Sequence, residues 1–377
     1  MQRKIAIVTI LIAFVAALCI ILRTPHSETP TTATPERKDQ PQVRRAPVEK
    51  TVTSFPNTAP PVQPPLTLGQ RLARMGTPES QENHLTEAEI ANYLAQNHTN
   101  ALSLLTAFQA SGDREFLRQA AANFPDDPLV QARVLVHNLY PDQRQQWLDA
   151  LKKSAPENSL PNFLAARDYM DQGNATAALA EITSTANKHF DDYYRHSALG
   201  LEEAYLGAGR SPAEAKALGG SEILLPQLAP LKSLGVQLAD LSAEYGKAGD
   251  SASQQALLNG VYEMATQLRD NGNQGTLVTS LVGLALQNIV LQHWPEGIPA
   301  DVIQSSIADQ LAANQQYRQS IKADTHLLSQ WLPSASESEI IAYLDHRQSL
   351  GEENALKWLK SRHFLPITST IRLPRLK

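Results

Sequence analysis

The residues best suited to chemistry run from position 189 to 196, His189-Phe190-Asp191-Asp192-Tyr193-Tyr194-Arg195-His196, with Glu202 and Glu203 close behind. On a helix, Asp192 and His196 stand four apart and His196 and Glu203 seven apart, so the three share a face. Oxygen and nitrogen ligands in that arrangement suit zinc or iron. A plainer role competes for the same residues. Asp191 or Asp192 is a natural N-cap, and an acid is favourable in the first turn of a helix. Arg195 would also place a like charge beside any metal. The adjacent Glu202 and Glu203 suggest a carboxylate pair acting on a glycosidic bond. Neighbouring helix positions diverge by about 100°, however, so the two cannot flank one bond together. His137, between Val136 and Asn138 near a helix end, reads as a capping or core residue rather than a base.

Other catalytic patterns are missing from the chain. There is no HExxH, no glycine-rich phosphate loop ending in Gly-Lys-Ser/Thr, no GxSxG, no SxxK and no EF-hand loop. The sequence therefore assigns no catalytic, cofactor-binding or metal-ligating residue and implies no cofactor. Cys19 is the single cysteine, which excludes an intramolecular disulfide and a cysteine-based metal site. A cysteine-free body suits an oxidising compartment. The net charge is −5, and the basic residues of the first 65 positions leave the body more acidic than the whole. Nucleic-acid binding needs a basic face to displace counterions, so no nucleic-acid partner is expected. The stretch 362–377 is the exception, with Arg362, Arg372, Arg375, Lys377 and no acid.

These residues must be positioned by elements, and the first element is an apolar run. Ile5–Leu22 carries no charge and follows Arg3 and Lys4 directly. Its 18 residues would span roughly 27 Å as a helix, close to the hydrocarbon thickness of a bilayer. Unpaired amides are not tolerated in lipid, so the run is expected to be a transmembrane helix. Two alternatives are a cleaved signal peptide and a lipoprotein lipidated at Cys19. The first lacks a small-x-small cleavage site after Leu22, and the second lacks a small residue before Cys19. The basic pair acts first in setting orientation, so the amino terminus is expected in the cytoplasm and the body outside it, in the periplasm of a Gram-negative cell. Residues 23–65 hold ten prolines and no glycine. Such a stretch buries too little apolar surface to offset chain entropy, and a disordered, semi-extended spacer is expected.

Beyond residue 66 the apolar residues recur at helical spacing. Tyr194, Ala198, Leu201 and Tyr205 form one such series. Leu231, Leu234, Leu238, Leu241 and Tyr245 form another, and Leu257, Val261, Met264 and Leu268 a third. Nothing comparable alternates at period two, so the fold class is all-α. Thr86 with Glu89, Ser211 with Glu214, Ser251 with Gln254 and Ser336 with Glu339 fit the reciprocal capping box. Glycines 112, 173, 209, 249, 272 and 351 mark stops. The sequons at Asn97 and Asn174 read as cap and turn residues. Leu277–Leu291 has almost no polar face and is expected to be a core helix wrapped by neighbours.

The segment Asn162–Ala186 carries small residues at Ala166 and Ala178, an aromatic at Tyr169, Gly173 four residues on, and Ile182 in a following helix. It resembles the tetratricopeptide repeat, a helix–turn–helix unit of about 34 residues. Asn162 stands where that family has a large aromatic. Phe108 before Gly112, Tyr205 before Gly209 and Tyr245 before Gly249 repeat the aromatic–glycine step of four. A further helix pair, Pro128–Leu139 and Asp142–Lys153, falls in the long interval between Gly112 and Gly173. The uneven intervals make these degenerate repeats, and an irregular helical bundle stays open as the alternative. The resemblance implies a right-handed α-solenoid whose concave face binds peptides or proteins. Its candidate contacts are Arg167, Asp168, Tyr169, Arg195 and Glu202.

The expected organisation is an anchor over 1–22, a linker over 23–65, a repeat region over 66–268, a helical C-terminal region over 269–361 and a basic tail over 362–377. The function expected from it is a membrane-anchored scaffold that binds a protein or peptide at the cell envelope and is not an enzyme. Two other readings compete. One is an envelope hydrolase acting on wall polymers, which a deep acidic cleft around Asp192, His196 and Glu203 would mark. The other is a self-assembling structural protein using Leu231–Tyr245 and Leu257–Leu268 as partner helices.

Overall fold

The computed structural model describes residues 67–73 and 84–363, apart from 222, 271–274, 297, 299 and 301. The apolar run Ile5–Leu22, the proline-rich stretch and the tail beyond His363 lie outside the described residues. Among the described residues the chain is all-helical, with one isolated parallel bridge between Asn158 and His189. No described helix is long and apolar enough to cross a membrane.

The helices are α1 (Leu68–Ala73), α2 (Glu87–Gln96), α3 (Ala101–Ser111), α4 (Arg114–Asn123), α5 (Pro128–Val136), α6 (Arg144–Ser154), α7 (Leu160–Asp171) and α8 (Ala175–Thr183). They continue as α9 (Tyr194–Gly207), α10 (Pro212–Ser221), α11 (Leu228–Lys247), α12 (Ser251–Asp270), α13 (Leu277–His293), α14 (Ile307–Trp331), α15 (Glu337–Leu350) and α16 (Glu352–His363).

The helix ends follow from local chemistry. Thr86, Ser211 and Ser336 each exchange hydrogen bonds with the glutamate three residues on, as the capping box requires. Ser251 does not. It is the first residue of α12, and Asp250 before it accepts from the Ser253 amide at 3.0 Å. The carboxylate outcompetes the hydroxyl because a charged acceptor also meets the positive end of the helix. Asn174 caps α8 by accepting from the Ala177 amide at 3.1 Å, and Asn97 closes α2.

Gly112, Gly173, Gly209 and Gly249 all take left-handed φ, from 71° to 81°. Each ends the first helix of a hairpin, where a side chain would be strained. In three of them the residue after the glycine donates to the carbonyl of the tyrosine four before it. Asn174 reaches Tyr169 O at 2.8 Å, Arg210 reaches Tyr205 O at 3.1 Å and Asp250 reaches Tyr245 O at 2.9 Å. The aromatic–glycine step of the sequence is thus a backbone turn with a ring packed beneath it.

The hairpins α3–α4, α5–α6 and α7–α8 pack side by side in chain order. The next in space is α11–α12, with α7 against α11 and α8 against α12. The intervening hairpin α9–α10 leaves this order. Its first helix lies against α3 and α2, and its second against α15 and α1. At Gly200 of α9 an added Cβ would stand 2.2 Å from Thr106 Oγ1 of α3, so glycine permits that close approach.

Two cores result. The larger runs from Leu104 through Phe163, Leu231 and Met264 to Leu291. The smaller gathers Leu277, Leu281, Leu284, Trp331, Tyr343 and Leu356. Helix α13 belongs to both, with Val282, Leu286 and Val290 facing one and Leu277, Leu281 and Leu284 the other. That double duty explains why it has almost no polar face. The residues of the two heptad-like series, Leu231–Tyr245 and Leu257–Leu268, pack into the larger core of the same chain.

Candidate functional site

The stretch that precedes α9 is held by the stretch that precedes α7. After α8 the chain turns at Asn187, φ 68°, and runs without helix to Tyr193, φ 58°. The His189 amide donates to Glu157 O at 3.0 Å, and the Ser159 amide donates to His189 O at 2.8 Å. Asn158 fixes the next step with its side chain. Its Nδ2 donates to Asp191 O at 2.8 Å, and its Oδ1 accepts from the amides of Asp191 and Leu160. Asp191 then accepts from the Tyr193 amide at 2.7 Å, and Asp192 from the Tyr194 amide at 3.1 Å. Both acids therefore shape the entry to α9, the plainer of the two roles their positions allow.

Asp192 also reaches inward. It is 5% exposed and accepts from Gln227 Nε2 at 3.0 Å. Burial pushes its carboxyl above the usual carboxylate range, opposed by the Tyr194 amide and by the Arg133 charge. Arg133, on α5 and 3% exposed, donates to Ser197 Oγ. Burial lowers its guanidinium pKa while Asp192 and Asp191 raise it. This buried group joins α5, the entry to α9 and the start of α11.

The three residues that could share a metal are not assembled. Asp192 is committed inside, His196 is exposed with its ring 6.0 Å from that of Tyr193, and Glu203 accepts from Tyr93 at 3.4 Å. Glu203 instead borders a tyrosine whose hydroxyl is pushed up to about 12, chiefly by burial. No group of three metal-ligating side chains gathers among the described residues. His137 caps α5 and packs edge-on to Phe108, with ring centres 4.7 Å apart. Burial, then Arg133 and Arg114, lower its pKa to about 4.

The five contact candidates separate into three groups. On α7, Asp168 accepts from Arg144 Nε at 2.6 Å while Arg144 Nη1 donates to Leu135 O at 2.7 Å, so this pair ties α5, α6 and α7. Arg167 pairs with Asp171 at 2.9 Å and reaches Pro230 O at 3.4 Å, joining α7 to α11. Tyr169 is half-buried against the larger core. Glu202 pairs with Lys216 at 2.9 Å and accepts from Gln348 at 2.7 Å, linking α9, α10 and α15. Arg195 differs from the other charged candidates. It is exposed and makes no hydrogen bond or ion pair with a described residue.

Arg195 stands between two hollows. One, of about 30 Å³, lies between α9, α10 and α15 beside Tyr194, Glu202, Lys216 and Arg347. It has room for no more than a water or two. The other, of about 690 Å³, opens between positions 188–196 and the end of α12. Its lining includes Lys188, His189, His196, Gln267 and Asp270. The sequence singles out its near wall, the 189–196 cluster. It gives no sign of the far wall, which lies some 80 residues along the chain, where Gln267 Nε2 donates to Thr185 O at 3.0 Å (a separation of 82).

No protein family, characterised protein or solved structure matches the chain.

Proposed function

We propose that this protein is a membrane-anchored, extracytoplasmic scaffold whose helical hairpins dock another protein or a peptide at the cell envelope. In this reading Ile5–Leu22 holds the chain in the bilayer, with its amino terminus in the cytoplasm. The proline-rich stretch to residue 65 sets the body off from the surface. The hairpins form a degenerate, tetratricopeptide-like right-handed stack. The repeated tyrosine–glycine turn and the side-by-side order of α3–α8 with α11–α12 support the repeat reading. The uncharged run behind Arg3 and Lys4 supports the anchor.

One observation carries the docking site. The hollow of about 690 Å³ lies beside Arg195, a charged contact candidate without an internal partner. Its size falls within the range that holds several side chains of a ligand. Docking therefore centres on 188–196. The α7 residues Arg167 and Asp168 hold neighbouring helices and serve the site from behind.

Crosslinking of the full-length chain in its native membranes tests the reading. A discrete adduct is expected, lost on Arg195→Glu and retained on Lys153→Glu, a surface change on α6. Recovery of the monomer alone, or an adduct indifferent to both changes, contradicts it.

A further inference from the structure

The hollow beside Arg195 carries an imbalance of committed charge. Two of its three acids are held from within. Asp192 is held by the Tyr194 amide and Gln227, and Asp191 by the Tyr193 amide, with the buried Arg133 charge facing both. The third, Asp270, is 60% exposed at the rim and pairs with its chain neighbour Arg269 at 3.3 Å. The basic groups have no such balance. Lys188 donates only to the neutral Asn162 Oδ1, at 3.0 Å, and meets no carboxylate. Arg195 makes no hydrogen bond or ion pair with a described residue. His189 and His196 are exposed on the same lining and add two imidazoles.

We infer that this hollow is a binding site for an acidic peptide segment, whose Asp or Glu carboxylates pair with Lys188 and Arg195. The inference rests on the docking function proposed above and names its partner's chemistry. What favours an acidic ligand is that two of the three lining acids are already held while neither lining cation has a carboxylate partner. Two long cations about a hollow fit carboxylates at more than one position along a chain. The volume of about 690 Å³ exceeds what an inorganic anion fills, which favours a peptide over free phosphate. A polyphosphate backbone would need a far broader basic face than two cations supply.

The test uses the full-length chain in detergent micelles or nanodiscs, titrated with fluorescently labelled hexaglutamate. Labelled hexalysine and inorganic phosphate serve as the other arms. Saturable hexaglutamate binding is expected, weakened by about tenfold or more in Arg195→Glu and in Lys188→Glu, and by less in Arg195→Gln. Raising salt from about 0.05 to about 0.5 M should weaken it as well, because Arg195 is exposed and Lys188 half-buried, within reach of screening ions. Lys153→Glu, with the same change of net charge, should leave it unaltered. Circular dichroism of each variant separates lost binding from lost fold. Equal binding of hexalysine, competition by phosphate at similar concentration, or equal loss in Lys153→Glu would overturn the inference. An Arg195-dependent membrane adduct alongside failure of hexaglutamate to bind leaves the docking function standing and removes the acidic partner.

Discussion

His137 has its proton equilibrium set by where α5 ends. Its ring is packed against Phe108 at the cap, with Arg133 and Arg114 close by. Burial first and those cations second move its pKa from 6.5 down to about 4. Between these values the unfolded chain binds more protons than the folded one. The stability this residue contributes is complete above 6.5 and is lost as pH falls toward about 4. At ~1.4 kcal/mol per unit the ceiling is ~3 kcal/mol, and partial solvent access lowers it. His137→Gln should therefore show a smaller drop in urea midpoint between about pH 7 and about pH 5 than the parent chain. An unchanged drop would place the acid sensitivity elsewhere. Arg133 makes the complementary case. Arg133→Met removes the charge that faces Asp191 and Asp192, leaving buried acid uncompensated at a cost of about 3 kcal/mol. Asp192→Asn in the same background should recover part of that loss in the urea midpoint, since an amide needs no counter-charge.

At the scale of single elements, turns and caps were legible and partners were not. The step of four from Tyr169, Tyr205 and Tyr245 to a glycine marks three hairpin turns because one backbone geometry needs both residues. The all-apolar stretch at 277–291 marks a core helix because only enclosure on every side tolerates it. Ser251 misleads because a hydroxyl and a carboxylate stand side by side, and pattern alone does not rank them. Asp250→Ala should lower the denaturant midpoint of unfolding, and Ser251→Ala should leave it nearly unchanged. The reverse order would restore the serine as cap.

The glycines separate turn strain from packing. An added Cβ at Gly173 meets no atom within 4 Å, so Gly173→Ala costs only the strain of φ 74°, about 1–2 kcal/mol. At Gly283 of α13 a Cβ would stand 2.5 Å from Ala265 O and from Arg269 N of α12, which must part to admit it. Gly283→Ala should cost more than Gly173→Ala in the same assay and speed amide exchange along both helices. Helical periodicity is silent on such approaches, because it records which face is apolar and not what meets it.

For the whole molecule, the order in space departs from the order in sequence at α9–α10. The helices of that hairpin carry Gly200, Gly207, Gly219 and Gly220 where α3–α8 carry none, a pattern that permits close approach without naming what approaches. The departure is set by long-range partners. Arg347 on α15 donates to Gly220 O and to Tyr194 Oη, both at 2.7 Å, and pairs with Glu352 at 3.3 Å. Glu352 in turn accepts from the Leu277 amide at 2.8 Å. Burial alone would lower the Arg347 guanidinium, but Tyr194, Glu352 and Tyr343 hold it above its ordinary range. One cation thus joins α9, the end of α10, α16 and, through Glu352, the start of α13. Arg347→Met should cost on the order of 2–3 kcal/mol and raise hydrogen exchange first across 337–363, with α3–α8 protected. Uniform loss of protection would show that the two cores unfold as one.

The candidate site was half legible for the same reason. The 189–196 cluster announces itself by composition, yet its chemistry depends on Gln227, Arg133 and the end of α12, which pattern does not connect to it. Once those partners are in place, Asp191 and Asp192 are structural and Arg195 stands open. The most direct measurement of the docking claim is a photocrosslinking amino acid placed at position 189 of the full-length chain in native membranes, compared with the same group at position 153. A discrete adduct is expected from 189 that is absent from 153 and abolished by Arg195→Glu. Equal labelling from both positions, or none from 189, would contradict it.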